Sequence, residues 1–392
     1  MAAADYKTLR DFNLRDKTVL LRADLNVPAQ DGLVKDTSRI DRLKPTIEKL
    51  KHEGAKTLIL SHFGRPKGIR QDDLSLEFLS PVLEKQWQIP VKFARDCIGP
   101  EVDNLVPGLT PGSFALLENV RFHPEEENND EAFARKLARN ADLYINDAFS
   151  AAHRAHASTH GICRYLDCGA GLLMEQELLA LKDGLEEPER PLIAVIGGAK
   201  ISTKLDLLNN LIKKADVIIL GGGMANTFLH AKGYDIGQSL CEKDMAEEAR
   251  EILTRASAQN CTINLPSDAL TATEFKENTS YSIKPVGQIS SQDMVLDIGP
   301  DTIRDINNIL LSGKTVVWNG PLGAFEIAPF HQGTTKVAKE IARLTDTGHI
   351  KSVAGGGDTL SALKKAGVTK NLSYVSTAGG AFLEWLEGKT LP

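Results

Sequence analysis

The sequence predicts an α/β protein of two domains, each built on a parallel sheet, and three observations predict it. Short apolar strands alternate with helical stretches, the alternation restarts in the second half, and 392 residues exceed the capacity of one core. Single cores stop growing at roughly 250 to 300 residues. The 42% hydrophobic and 25% charged content is that of a folded globular chain, so every stretch needs a place in a core.

The first series of strands reads TVLLRAD (18–24), KTLILSHF (56–63), FALLENV (114–120) and DLYINDAF (142–149). Between the first two, Ile40, Leu43, Ile47 and Leu50 recur at helical spacing, with Ser38 or Thr37 to cap the start. Pro45 kinks that helix or marks its first turn. The second series reads PLIAVIGG (191–198), DVIILGGG (216–223), CTINLP (261–266), TVVWNG (315–320) and SVAGGG (352–357). Strands interleaved with helices imply parallel order. The connection is GLLMEQELLALKDGLEEPERP (171–191), helical in its leucines and closed by two prolines among charges. No short-period repeat or low-complexity tract occurs.

The formal charge of -6 disfavours a general nucleic-acid binder, which needs a broad basic surface. Any anion must therefore be gripped by a local cluster. The N-terminal MAAADYKTLRDFNLRDK has no apolar run and no uncharged stretch approaches a membrane span, so neither secretion nor membrane association is expected. Five cysteines, odd in number and without a C-x-x-C pair, suit a reducing cytoplasm.

Ligands of open parallel sheets bind beyond the carboxyl ends of the strands. In the first half these ends carry Asp24 and Asn26, His62 and Arg65 in SHFGRP, Arg121 and His123 in ENVRFHP, and His153, Arg154 and His156 in AFSAAHRAH, with Arg39 nearby. Each arginine alone reads as an ordinary solvated ion pair. Four at strand ends build a pocket for a compact polyanion such as a phosphorylated acid. His153, His156 and His160 could suggest zinc, but Arg154 between them repels a cation and no H-E-x-x-H is present.

In the second half the strand ends are glycine: GGAK (197–200), GGGM (221–224), NGPLG (319–323), GGGDT (355–359) and STAGGA (376–381). Any one such turn is weak evidence. In GGAKISTK, Lys200 and Lys204 sit four apart at an expected helix start, an arrangement that an anion between the two ammoniums would stabilise. Two G-K-T triplets lack the earlier glycine of a Walker loop, with Asn308 and Leu383 in its place, and Asn226 breaks a G-x-G-x-x-G. A P-loop is excluded and a dinucleotide dehydrogenase is disfavoured. Asp358 reads either as a Mg²⁺ carboxylate or as a plain helix cap.

The motifs LRADLNVP, LSHFGRPKG, LLENVRFHPEEE, INDAFSAAHRAHAS, GGAKISTKLDLL, LGGGMANTFL, WNGPLGAFE, GGGDT and STAGGAFLEWLEGK together resemble the phosphoglycerate kinase family over essentially the whole chain. The resemblance implies two Rossmann-like domains joined by an interdomain helix and hinge. It implies a 3-phosphoglycerate-binding domain at 1–172, a linker at 173–190 and a nucleotide-binding domain at 191–378, with 379–392 returning to pack on the first domain.

By the same resemblance the activity is a glycolytic phosphotransfer between ATP and the carboxylate of 3-phosphoglycerate, giving ADP and 1,3-bisphosphoglycerate after hinge closure. Asp24, Asn26, Arg39, His62, Phe63, Gly64, Arg65, Arg121 and Arg154 are then expected to hold the acid. Lys200, Lys204, Glu326, Gly356, Gly357, Asp358 and Thr359 are expected to hold ATP or ADP, with Asp358 on Mg²⁺ and Glu326 on the ribose. Arg39, Lys204 and Gly380 are the expected catalytic residues. A cytoplasmic monomer is expected.

An attacking carboxylate is already ionised at neutral pH, so His62 is expected to bind rather than act as a base. Ser150 and Ala151 stand where the family usually has Gly-Thr, and Ala378 replaces the first glycine of a triple. Alanine there would carry strain if the position needs a positive φ. A catalytically silent homologue serving as a binding protein is the other reading of the same residues.

Overall fold

The structure, a computed structural model, describes residues 6–392. The chain divides into two compact units, Met1–Leu178 with Leu391–Pro392, and Leu179–Thr390. The boundary falls within the helix Leu172–Leu181.

The strands of the first unit are β1 (Thr18–Arg22), the short β2 (Ala29–Gln30) and β3 (Leu33–Val34), β4 (Lys56–Leu60), β5 (Val91–Ala94), β6 (Phe114–Leu117), β7 (Leu143–Asn146) and β8 (Asp167–Ala170). β2 and β3 pair with each other, and the other six form a parallel sheet in the order β5-β6-β4-β1-β7-β8. β1 is buried along its length because helices cover both faces of such a sheet, which is why it reads as a continuous apolar run. The chain leaves β1 for β4 on one side and reaches β7 on the other, so the strand order reverses beside β1 and opens a crevice at its carboxyl end.

The single helix expected from Ile40 to Leu50 is two, Ser38–Arg42 and Lys44–His52. Pro45 lies in the first turn of the second, where its missing N–H costs nothing. β5 and β8 escaped the strand reading because VKFA and DCGA mix exposed and buried positions.

In the second unit β9 (Leu192–Ile196), β10 (Val217–Leu220), β11 (Thr262–Asn264), β15 (Thr315–Asn319), β16 (Lys351–Gly355) and β17 (Tyr374–Ser376) form a parallel sheet, ordered β11-β10-β9-β15-β16-β17. A separate antiparallel sheet holds β12 (Asp268–Ala272) between β13 (Ser282–Pro285) and β14 (Met294–Ile298). No such sheet is foreseen by a reading in which every strand joins a parallel layer. Its anchor is Asp268, whose carboxylate accepts from the Asp301 and Thr302 amides at the head of the helix Pro300–Ser312.

The sequence reading places 379–392 on the first domain, but only Leu391–Pro392 cluster with the first unit. The helix Gly380–Leu386 buries Ala381, Phe382 and Leu386, and Asn210 of the helix Leu205–Leu211 donates to the Leu386 carbonyl at 2.7 Å. Among the described residues no helix is long and apolar enough to cross a membrane.

Candidate functional site

Four strand ends of the first unit converge on one polar network. Arg39 Nη1 donates to both oxygens of Asp24, at 3.0 and 2.8 Å, and to the Asn26 carbonyl at 3.0 Å. Among the described residues Nη2 and Nε of that guanidinium have no hydrogen-bond partner. Ser150 donates to Asp24 Oδ2 at 2.5 Å, so this departure from the family pattern adds a bond to the Arg39 anchor. Asn26 accepts from the Gly64 amide at 3.0 Å, and Arg121 Nη1 donates to the Gly64 carbonyl at 2.9 Å. The loop that carries His62, Phe63, Gly64 and Arg65 is thus tied to both neighbouring strand ends.

His62 is buried and its Nδ1 lies 3.0 Å from Arg22 Nη2. Arginine only donates, so Nδ1 is the acceptor and the proton sits on Nε2. Burial holds the imidazolium form well below the usual histidine range, helped by Arg22, Arg121, Arg39 and Arg154. Arg22 bonds the ring itself, Arg121 bonds Gly64 two residues on, and Arg39 bonds the Asn26 that also holds Gly64. A neutral ring with one free N–H is a hydrogen-bond donor to an anion and, lacking a free lone pair, no general base.

Sequence reasoning missed the supports. Arg22 is buried at the end of β1 and also donates to Ser158 Oγ (3.0 Å) and the Ala23 carbonyl (2.8 Å). Ser158 in turn donates to both oxygens of buried Glu126. Burial raises the Glu126 carboxyl, against the pull of Arg22 and the Ser158 bonds. Asn119 binds the Phe63 amide and carbonyl, the Leu74 carbonyl and the Arg121 amide, closing the loop from below. The available signal was charge in the wrong place, an arginine inside TVLLRAD and a glutamate beside the expected anion site.

Arg65 is exposed and makes no polar contact among the described residues, whereas Arg154 donates from Nε to His153 Nε2 at 3.1 Å. His153, His156 and His160 do not assemble as a metal group. Among the described residues the one such grouping is Asp96, Cys97 and His123, where His123 Nε2 and Asp96 Oδ1 are 2.8 Å apart.

In the second unit a cavity of about 560 Å³ opens at the carboxyl ends of β9, β10 and β15. Gly198, Gly222, Gly223, Glu326 and Asp358 line it together with apolar Leu240, Met294, Leu296 and Phe325. Its size and mixed lining suit one small organic ligand with a polar end.

Lys204 is half-buried behind this glycine wall, donating to the Gly197 carbonyl (2.6 Å), Asn319 Oδ1 (2.7 Å) and the Asn319 carbonyl (3.2 Å). Burial lowers its ammonium pKa to about 8, with Asp358 opposing the shift. The helix start expected at Lys200 and Lys204 is corrected. Ser202–Lys204 is a 3-10 turn, the α-helix begins at Leu205, and Lys200 is exposed.

Gly356, at φ 101°, precedes the helix Gly357–Ala366 and leaves Asn319 Nδ2 room to reach the Gly355 carbonyl at 2.8 Å. The cap is therefore Gly356, without a side-chain bond, and the exposed Asp358 carboxylate is not spent on the helix. Thr359 Oγ1 instead accepts from the Gly320 amide at 2.7 Å. Ala378 is buried and is not among the described residues with positive φ, so the strain considered for it is absent. The positive φ falls on Gly379, at 51°. Gly380 is the exposed first residue of its helix.

The sequence model of the phosphoglycerate kinase family matches residues 9–389. The chain is 56% identical over 387 residues to the phosphoglycerate kinase of Rhodospirillum centenum, covering 99% of this chain and 98% of that one. It is 54% identical over 389 residues to that of Methylorubrum populi, covering 99% and 97%. Among solved structures it is similar to the phosphoglycerate kinases of Coxiella burnetii (41% identity, TM-score 0.91, 99% and 97% covered) and Pyrococcus horikoshii (32%, 0.80, 98% and 97%).

Proposed function

From the premise that the chain belongs to the phosphoglycerate kinase family, we propose that the first-unit network holds 3-phosphoglycerate or 1,3-bisphosphoglycerate and the second-unit cavity holds ATP or ADP. The reaction itself is reversible phosphoryl transfer between ATP and the carboxylate of 3-phosphoglycerate. The observation that carries the assignment is that Arg22, Arg39 and Arg121 are bonded to the His62–Gly64 loop or to the Asn26 that holds it. A compact polyanion is the ligand that such a field stabilises.

Asp24 and Asn26 set the Arg39 fork and the Gly64 turn. His62 Nε2, Arg65, Arg121 and Arg154 bind the acid, and the bound carboxylate needs no base. Phe63 packs edge-on against Phe78, with centroids 5.2 Å apart, and holds its loop in register. Charge that develops on the transferred group is met by Arg39 and Lys204, whose positions are set before substrate arrives. The Gly380 amide joins them on the strength of family resemblance. Lys200 and the turn of Gly356, Gly357 and Thr359 serve the nucleotide phosphates, and Glu326 the ribose.

Asp358 fits Mg²⁺, being an exposed carboxylate oxygen on the cavity wall that caps nothing. Bound there, Mg²⁺ supplies positive charge to the nucleotide phosphates. The two ligands meet only after hinge closure, which also excludes water from the acyl phosphate. The protein works as a monomer in a reducing cytoplasm.

A coupled assay of ATP formation from 1,3-bisphosphoglycerate and ADP tests the assignment. Wild type is expected to turn over, Arg121→Ala to raise KM for the bisphosphoglycerate, and Lys204→Ala to lower kcat. An Arg121→Ala effect confined to ADP would overturn the placing of the two ligands.

A further inference from the structure

We propose that Asp96, Cys97 and His123 form a Zn²⁺-binding site in the first unit. Asp96 and Cys97 follow β5, and His123 precedes the helix Pro124–Glu127 in the loop after β6, so two paired strands deliver the three residues side by side. One ligand atom of each, a carboxylate oxygen, the sulfur and a ring nitrogen, lies within 4.8 Å of the other two. Zinc bonds of about 2.0 to 2.3 Å set tetrahedral ligand pairs about 3.3 to 3.8 Å apart, so side-chain adjustments of about 1 Å bring the trio to that geometry.

The arrangement holds more than an ion pair between His123 and Asp96 requires. The Cys97 sulfur is buried at the same point and, among the described residues, bonds no other side chain and no carbonyl. Asp96 Oδ1 is held by the Cys97 and Ile98 amides, at 2.7 and 3.4 Å, which leaves Oδ2 without a hydrogen-bond partner among the described residues. The His123 ring packs on Phe133, with centroids 5.0 Å apart. Ligands fixed by such neighbours are what a metal site needs.

The donor set selects the ion. A thiolate disfavours Mg²⁺ and Ca²⁺, which take oxygen ligands, and with an imidazole and a carboxylate beside it suits Zn²⁺. The carboxylate and the thiolate together cancel the charge of the ion, so the buried side of the site stays neutral. On binding, the proton that His123 Nε2 and Asp96 Oδ1 share across 2.8 Å gives way to the metal, the ring keeps a proton on Nδ1, and the Cys97 proton passes to water. Asp96 and His123 are partly exposed, which gives the ion a way in and leaves a fourth position for water. The trio includes no residue assigned above to phosphoglycerate or nucleotide, so its test does not depend on those assignments.

Metal-free, reduced full-length protein is titrated with Co²⁺, an optical substitute for Zn²⁺. An equimolar amount is expected to give a sulfur-to-cobalt charge-transfer band in the near ultraviolet, and added Zn²⁺ to abolish it. Co²⁺ held at Asp358 by oxygen ligands gives no such band, and Cys163→Ser and Cys168→Ser, which remove the more accessible thiols, are expected to keep it. Cys97→Ser is expected to lose the band. His123→Asn, at a partly exposed side chain that the fold can spare, is expected to weaken Co²⁺ binding about tenfold or more, since losing even an outer partner of a ligand costs about 10- to 100-fold. A band absent from wild type, kept in Cys97→Ser or lost in Cys163→Ser or Cys168→Ser, or an affinity unchanged in His123→Asn, would each overturn the proposal.

Discussion

Arg22 Nη2 and His62 Nδ1 are 3.0 Å apart in a buried contact, and that single bond decides what the histidine can do. A guanidinium cannot accept, so it consumes the only lone pair of a neutral imidazole and turns Nε2 outward as a donor. The ¹⁵N shifts of His62 are expected to show the Nε2–H tautomer unchanged from about pH 8 down to about pH 5. The sign for stability follows. The folded value lies below the unfolded one of about 6.5, so as pH falls past 6.5 the unfolded chain takes up a proton that the fold refuses, and stability drops. His62→Asn should flatten that part of the urea midpoint against pH. A titration of His62 near 6.5 in the folded protein rules the arrangement out.

Arg65 has no polar partner among the described residues and is exposed, so its removal should leave stability within about 0.5 kcal/mol. Loss of a charge-assisted hydrogen bond costs about 1.5 to 3 kcal/mol. Arg65→Ala is therefore expected to raise KM for 3-phosphoglycerate by about 10- to 150-fold. A fall in Tm with an unchanged KM would show that Arg65 is structural.

Lys204 carries an ammonium whose pKa is about 8, because burial disfavours its charge. Nucleotide affinity of the free enzyme should then decline as pH rises through about 8. Lys204→Arg, which cannot deprotonate, should lose that decline even if its kcat is lower. Lys204→Ala should lower kcat by about 10²- to 10³-fold, the scale of one preorganised electrostatic donor. A flat affinity profile in wild type would contradict the shift.

Gly320 has φ 100°, and a Cβ there would lie 2.2 Å from the Gly197 carbonyl oxygen and 3.0 Å from Lys204 Nζ. Gly320→Ala is expected to cost about 1 to 3 kcal/mol from the backbone alone. ADP binding by calorimetry should weaken as well, since Gly197 and Lys204 must move apart. Wild-type stability and affinity together would show that the turn has slack.

Asp297 is buried, accepts from the Gly333 and Ile298 amides, and has its carboxyl pushed up to about 8 by burial. The folded pKa exceeds the unfolded one of about 3.8, so its contribution is complete below about 3.8 and is lost as pH rises through about 8. Asp297→Asn is expected to narrow the gap between urea midpoints measured at about pH 6 and about pH 9. An unchanged gap would place the ionisation elsewhere.

The sequence by itself determined the two α/β units, most strand positions and the types of residue at the strand ends. β-branched runs buried on both faces, glycine turns and clustered arginines are local signals, legible without neighbours. It could not reveal β5 and β8, whose residues mix exposed and buried positions, nor the antiparallel β12 to β14 sheet or the seat of the helix Gly380–Leu386, which depend on tertiary partners. The tertiary structure alone decided the roles inside the site. Arg22, Asn119, Glu126 and Ser158 come from three separate stretches, and what each does is set by who faces it. Lys204 turned out to be held by Asn319 rather than paired with Lys200, because a 3-10 turn, which no spacing rule marks, rotates it inward. Residue type states what a side chain can donate or accept. Only the packing of distant strands states to whom, and at what cost in lost hydration.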